Sequence, residues 1–118
     1  MKIQELPEHI RQFLNEERLL NDKTIKSLQI GYTEINKQSW LTFPLGDENG
    51  NLSFYKLKAA PGNTSKNKGL VYPKGSGSAL MGKNIFKKNV SRVVLCEGEL
   101  DWALLVQHQI PAVTGSAG

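Results

Sequence analysis

The sequence has 118 residues, of which 39% are hydrophobic and 22% charged, and its formal net charge is +4. This length suffices for one domain or two small subdomains but not for two independent cores. The apolar runs are short and the N-terminus lacks a signal-peptide core, so we expect no membrane span and a cytoplasmic location. A single cysteine and two histidines exclude an internal disulfide and a zinc cluster within the chain.

The charges are distributed unevenly along the chain. Residues 1–48 carry six basic and eight acidic side chains, whereas residues 49–96 carry nine basic and no acidic ones. Residues 97–118 carry three acidic side chains and no basic one. This separation predicts a polyanionic partner beside a metal site. The alternative is a solvated, lysine-rich surface.

Residues 1–38 are predicted to form a helical N-terminal segment without catalytic residues. Its first helix has an apolar stripe with a spacing of three and four residues, at Ile10, Phe13 and Leu14. Asn21 or Asp22 is expected to cap a second helix, and Gly31 is expected to end it.

Residues 39–90 are predicted to form a basic, β-rich subdomain. Strands at 40–45 and 52–57 flank an Asn49-Gly50 turn signal, which predicts an antiparallel hairpin. In the second strand, Lys56 and Lys58 share a face with Phe54. Beside Tyr55 they predict a surface for phosphates and stacked bases. The alternative is a sheet packed on its Leu57 face, with the lysines in water.

The segment 59–78 is rich in small residues and reads as loops around a short strand at 70–72. Its lysines, Lys66, Lys68 and Lys74, suit either a grip on a triphosphate or single strand, or a mobile surface loop. The segment does not match a P-loop. A short helix at 84–89 is then expected, with Ile85 and Phe86 inward.

Residues 91–118 predict a parallel strand–helix–strand unit. A short apolar strand at 93–96 precedes a helix at 99–109, and Ala112-Val113 begins the next strand. Three carboxylates crowd the first turn, where open sheets bind ligands: Glu97, Glu99 and Asp101. The helix dipole alone explains acids at 99 and 101. It does not explain Glu97, expected to end a buried strand, so we expect Mg²⁺ or Mn²⁺ here. Gly98 is expected to leave room for Glu97 and Asp101 to converge.

This last segment resembles the first motif of the toprim domain in DNA primases of the DnaG and phage primase–helicase types. The resemblance rests on the strand with Glu97-Gly98, on Asp101, and on Ile110-Pro111-Ala112-Val113 before Gly115. Upstream, similar primase features occur at 14–32, 40–50, 55–58 and 80–82, so the resemblance covers nearly all of 12–118.

The resemblance implies an α/β fold, with an α+β N-terminal subdomain leading into a toprim Rossmann-like parallel sheet that is truncated after its first βαβ unit. It implies RNA primer synthesis on single-stranded DNA by metal-dependent nucleotidyl transfer, in the replication of a bacterium, phage or plasmid. Glu97 and Asp101 would be the catalytic and metal-binding acids, with the remaining ligands beyond residue 118. The implied partners are single-stranded DNA, NTPs and a replicative helicase. Nucleotide or nucleic acid would be held by five lysines, Lys56, Lys58, Lys66, Lys68 and Lys74.

The resemblance also implies limits. The family's zinc-binding domain is absent from this sequence, and its Asp-x-Asp motif would follow residue 118. We therefore expect this chain alone to be inactive in primer synthesis. Glu99 is the least certain of the acids and is expected to point to solvent. Two alternatives remain: a catalytically inactive module that binds single-stranded DNA or a helicase, and another toprim enzyme, a nuclease or topoisomerase.

Overall fold

The structure, a computed structural model, describes residues 1–47, 49, 51–76 and 79–115. Its helices are α1 (Glu8–Gln12), α2 (Asp22–Ser27) and α3 (Glu99–Gln107), with a π-helical turn at Phe13–Glu17 and a 3₁₀ helix at Lys83–Lys87. The strands are β1 (Gly31–Ile35), β2 (Gln38–Gly46), β3 (Leu52–Ala59), β4 (Gly69–Tyr72), β5 (Leu80–Met81), β6 (Val94–Cys96) and β7 (Ala112–Gly115). Among the described residues, no helix is long and apolar enough to cross a bilayer.

The first sheet is antiparallel, with the strand order β1-β2-β3-β4. The hairpin predicted from 40–45 and 52–57 is confirmed as β2 and β3. Gly50 of the predicted turn lies outside the described residues. Asp47 organises the connection, because its Oδ1 accepts hydrogen bonds from the backbone N–H groups of Asn49 (2.9 Å) and Asn51 (3.0 Å).

The N-terminal segment contains both predicted helices and one strand that the sequence analysis missed. Asn21 caps α2, since its Oδ1 accepts a 2.8 Å hydrogen bond from the backbone N–H of Thr24. The prediction that Gly31 ends this helix is wrong, because Gly31 begins β1 and pairs with Thr42. A Cβ at position 31 would lie 2.7 Å from Thr42 Oγ1 and 2.9 Å from Ile3 Cγ2. Glycine is therefore required here by close packing.

The second sheet has the order β5-β7-β6. Strands β6 and β7 are parallel, with Val94 opposite Ala112, and α3 lies between them in the chain. The predicted strand–helix–strand unit is thereby confirmed, although residues 116–118 lie outside the described part. The helix predicted at 84–89 is the 3₁₀ helix, and Phe86 on it is exposed rather than inward.

One apolar core joins the helices and both sheets. It includes Leu14 and Ile25 from the N-terminal segment, Leu41 and Phe43 from β2, and Trp102 from α3. Trp102, expected on the flank of its helix, is buried, and its Nε1 donates a 3.0 Å hydrogen bond to the carbonyl of Ala112. The predicted mixed α/β fold is confirmed.

The domain boundaries proposed at 38 and 90 stay a prediction. Strand β1 of the first segment pairs with β2 of the second. Similarly, β5 of the second segment pairs with β7 of the third.

Candidate functional site

A polar cleft of about 400 Å³ lies between β3, the loop before β4 and the start of α3. It is lined by Lys56, Lys58, Lys66, Asn67, Lys68, Gly69, Glu97 and Glu99. Four of the five lysines selected from the sequence therefore meet in one place, together with Glu97. We call Lys56, Lys58 and Glu99 the cleft floor, and Lys66, Lys68 and Glu97 the cleft rim.

The register of β3 explains why two lysines reach the floor. Lys56 lies opposite Phe43 and Lys58 opposite Leu41, and both apolar partners belong to the core. Side chains alternate along a strand, so the two lysines project from the same face of the sheet as these core residues. Lys56 is consequently only 3% exposed. The alternative in which both lysines stand in water is wrong for Lys56.

Glu99 supplies the buried counter-charge of the floor. Its Oε1 lies 3.7 Å from Lys56 Nζ and its Oε2 lies 3.8 Å from Lys58 Nζ. Glu99 is 5% exposed, so the expectation that it points to solvent is wrong. The reason is tertiary: the first residue of α3 abuts the lysine-bearing face of β3. A signal was present in the sequence, since buried charges are rarely left unpaired.

The backbone of β4 closes the cleft beside Lys56. A Cβ on Gly69 would lie 2.9 Å from Lys56 Nζ and 3.3 Å from its Cε. Gly69 is paired with Lys58 in the sheet, which fixes its backbone in place. The absence of a side chain at position 69 therefore makes space for the lysine's end.

Glu97 lies on the rim and is exposed. The argument that it ends a buried strand is wrong, because β6 is itself open to solvent and Leu95 is 71% exposed. The charge of Glu97 thus carries no burial cost that a cation would have to relieve. Its proposed role in catalysis and metal binding rests on the family resemblance and on its place in the cleft.

Asp101 points away from this cleft. Its Oδ1 accepts a 3.1 Å hydrogen bond from Arg18 Nη2, and its side chain is 72% exposed. A Cβ on Gly98 would meet only Asp101 Oδ2, at the ordinary contact distance of 3.9 Å, so the space at Gly98 does not require glycine. The convergence of Glu97 and Asp101 on one metal stays a prediction.

Cys96 is affected by both its burial and Asp101. Burial raises the pKa of the Cys96 thiol, and the nearby Asp101 carboxylate raises that pKa further. Both effects favour the neutral thiol, so the residue is disfavoured as a nucleophile or a thiolate ligand.

The remaining lysines lie in and after the loop that follows β3. Lys66 and Lys68 are exposed on the rim, and Lys68 Nζ donates a 3.0 Å hydrogen bond to the carbonyl of Asn63. Asn63 orders this loop, since its Nδ2 donates to the carbonyl of Ser39 (2.7 Å). Lys74 is exposed in the turn after β4 and does not line the cleft.

The described residues do not assemble a complete metal site. No group of three or more His, Cys, Asp or Glu residues among them is placed to hold an ion. Hard divalent cations need six or more oxygen ligands. Glu97 alone offers a carboxylate at the cleft, so any ion bound there needs further ligands.

No protein-family model and no curated protein matches this chain. Solved structures do. The chain is similar to the E. coli primase catalytic core (20% identity, TM-score 0.63), covering 88% of this chain and 46% of that one. It is similar to a structure of the DnaG catalytic core (21%, TM-score 0.67), covering 94% and 48% respectively. It also matches the primase fragment of the bacteriophage T7 primase–helicase (23%, TM-score 0.60), covering 86% and 41%. The chain thus has a DNA primase-type fold and spans less than half the length of these catalytic cores.

Proposed function

We propose that this chain is part of a DNA primase catalytic core and that its lysine-lined cleft binds the phosphates of single-stranded DNA or a nucleotide. The observation that carries the proposal is the cleft itself, which gathers four lysines and two glutamates at the start of α3. With all six side chains charged, the lining has an excess of two positive charges. Such a surface attracts polyanions without reading sequence.

The solved neighbours support the choice of ligand. One of them is a DnaG primase catalytic domain bound to ssDNA. In another, T7 primase domains are bound to an RNA/DNA hybrid and dTTP. We carry these ligand classes over as part of the proposal: a single-stranded DNA template, NTPs and, by the same likeness, a helicase partner.

The proposed reaction is nucleotidyl transfer assisted by Mg²⁺ or Mn²⁺. The cation would stabilise the charge that develops on the attacking and departing oxygens. Glu97 is the proposed catalytic and metal-binding carboxylate, with Asp101 as the second acid. The described residues supply too few ligands for an ion, so this part of the proposal requires further groups. Lys66 and Lys68 would hold phosphates on the rim, whereas Lys74 lies outside the cleft.

A binding module without catalysis is the second candidate function. The shortage of metal ligands among the described residues favours it, and the cleft charge suits either function. Primer synthesis separates the two. With NTPs, Mg²⁺ and single-stranded DNA, we expect this chain to yield no labelled oligoribonucleotide above a Glu97→Ala control. A clear yield above that control would contradict the binding-module function.

DNA binding by the chain tests the proposed cleft directly. We expect a labelled oligothymidylate to bind weakly, with log K falling against log salt at a slope of about −2 to −3 if three to four phosphates are neutralised. Lys66→Ala with Lys68→Ala should weaken binding about tenfold and reduce the slope by about 1. The measurement is fluorescence anisotropy at several salt concentrations.

The matched control is Lys23→Ala with Lys26→Ala, which removes the same charge from exposed positions on α2. If both double variants lost affinity equally, binding would follow net charge alone and the cleft would not be the site.

A further inference from the structure

The cleft floor contains one acid and two bases, all fixed by the fold. Lys56 and Glu99 are almost completely buried, and Lys58 is partly exposed toward the cleft. If all three are charged, the floor has one positive charge that Glu99 does not balance. A buried excess charge is costly in water's absence, and an anion placed beside it lowers that cost.

The distances define what Glu99 does for the two lysines. At 3.7 and 3.8 Å, its two oxygens attract both ammonium groups from beyond hydrogen-bond range. Each oxygen faces a different lysine, so the carboxylate lies between the two. Without it, two like charges on one face of the same strand would repel each other.

We propose that Glu99 is a positioning residue for phosphate binding: it holds Lys56 and Lys58 side by side so that a phosphate takes the floor's remaining positive charge. The inference rests on the proposed function, because it assigns the phosphate to the same cleft. The ligand class is a phosphate of a nucleotide or nucleic acid, and the rim lysines extend the contact to neighbouring phosphates.

This role predicts an effect opposite to that of simple charge. Removing an acid from a cationic cleft should strengthen the binding of a polyanion, since the attraction is electrostatic. For Glu99, the lysines lose their arrangement, so removal should weaken binding instead. Glu97 provides the comparison, because it lines the same cleft but makes no ion pair within 4 Å with any described residue.

Three variants test this by fluorescence anisotropy with labelled oligothymidylate, in EDTA so that metals do not contribute. Glu99→Asp keeps the charge but withdraws the carboxylate by one methylene. We expect it to bind about threefold more weakly, with a salt slope reduced by about 0.7. Glu99→Gln should bind about tenfold more weakly, although the cleft is then more positive. Glu97→Gln should bind as tightly as the wild type or more tightly.

The outcomes separate this inference from the proposed function. If Glu99→Asp and Glu99→Gln bound as tightly as Glu97→Gln with an unchanged salt slope, the positioning role would be overturned while the cleft proposal stood. If the wild-type chain itself failed to bind DNA, both would be overturned. Thermal melting by circular dichroism shows which variants are folded during the assay. Should Glu99→Gln be unfolded, the charge-conserving Glu99→Asp decides alone.

Discussion

Two ion pairs at the first turn of α3 differ in ways that their distances do not suggest. Asp101 and Arg18 are 3.1 Å apart, whereas Glu99 is 3.7 and 3.8 Å from its two lysines. The Asp101 side chain is 72% exposed and that of Glu99 only 7%. Water and salt weaken the attraction between exposed charges, while a buried pair keeps most of it. Burial rather than distance therefore decides which pair the fold depends on.

The largest expected effect is on the buried pair. Lys56→Ala leaves Glu99 buried beside one partly exposed lysine, and we expect the free energy of unfolding to fall by about 3–5 kcal/mol. Urea denaturation at constant pH measures this. The double variant Lys56→Met with Glu99→Leu removes both charges and should recover most of the loss. A loss below about 1 kcal/mol for Lys56→Ala would refute the importance assigned to burial.

A smaller effect is expected at the exposed pair. Arg18→Ala should lower the free energy of unfolding by at most about 1 kcal/mol, because exposed ion pairs contribute little. High salt should remove most of the difference from the wild type, since it screens exposed charges. If Arg18→Ala proved as destabilising as Lys56→Ala, the ranking of the two pairs would be wrong.

The smallest expected effect concerns Cys96. Its raised pKa means that the folded state favours the neutral thiol. The stability this contributes is present below the unfolded-state pKa and is lost as the pH rises through the folded-state pKa. At about pH 8, alkylation by iodoacetamide should thus be slower in the folded chain than in the denatured one.

Asp101→Asn sharpens this third prediction. It removes the smaller of the two causes, so the alkylation profile should shift toward lower pH without reaching that of the denatured chain. An unchanged profile would show that Asp101 does not influence the thiol.

Local patterns in the sequence predicted those parts of the fold that depend on neighbouring residues. The β2–β3 hairpin and the strand–helix–strand unit follow from alternation, turn residues and apolar spacing over short stretches. Gly31 was misassigned because its requirement comes from Thr42 and Ile3, which approach it only in the folded state. Its sequence context resembles a helix end equally well.

The candidate site was predictable in composition but not in arrangement. The acid-free stretch identified Lys56, Lys58, Lys66 and Lys68 as a group, and all four line the cleft. The role of Glu99 was not accessible, because its partners lie on a strand far away in the sequence. Charge pattern alone does not distinguish an acid stabilised by the helix dipole from one buried against lysines.

The distance in sequence between the members of the cleft floor has a consequence for how the protein folds. The β2–β3 hairpin joins near neighbours in the chain, so little loop-closure entropy opposes its early formation. The ion pairs of Lys56 and Lys58, in contrast, await the N-terminus of α3, one of the last elements to leave the ribosome. Until then, both lysines are expected to remain hydrated. The phosphate-binding arrangement is thereby a late event in biosynthesis, completed only when nearly all of this chain has been made.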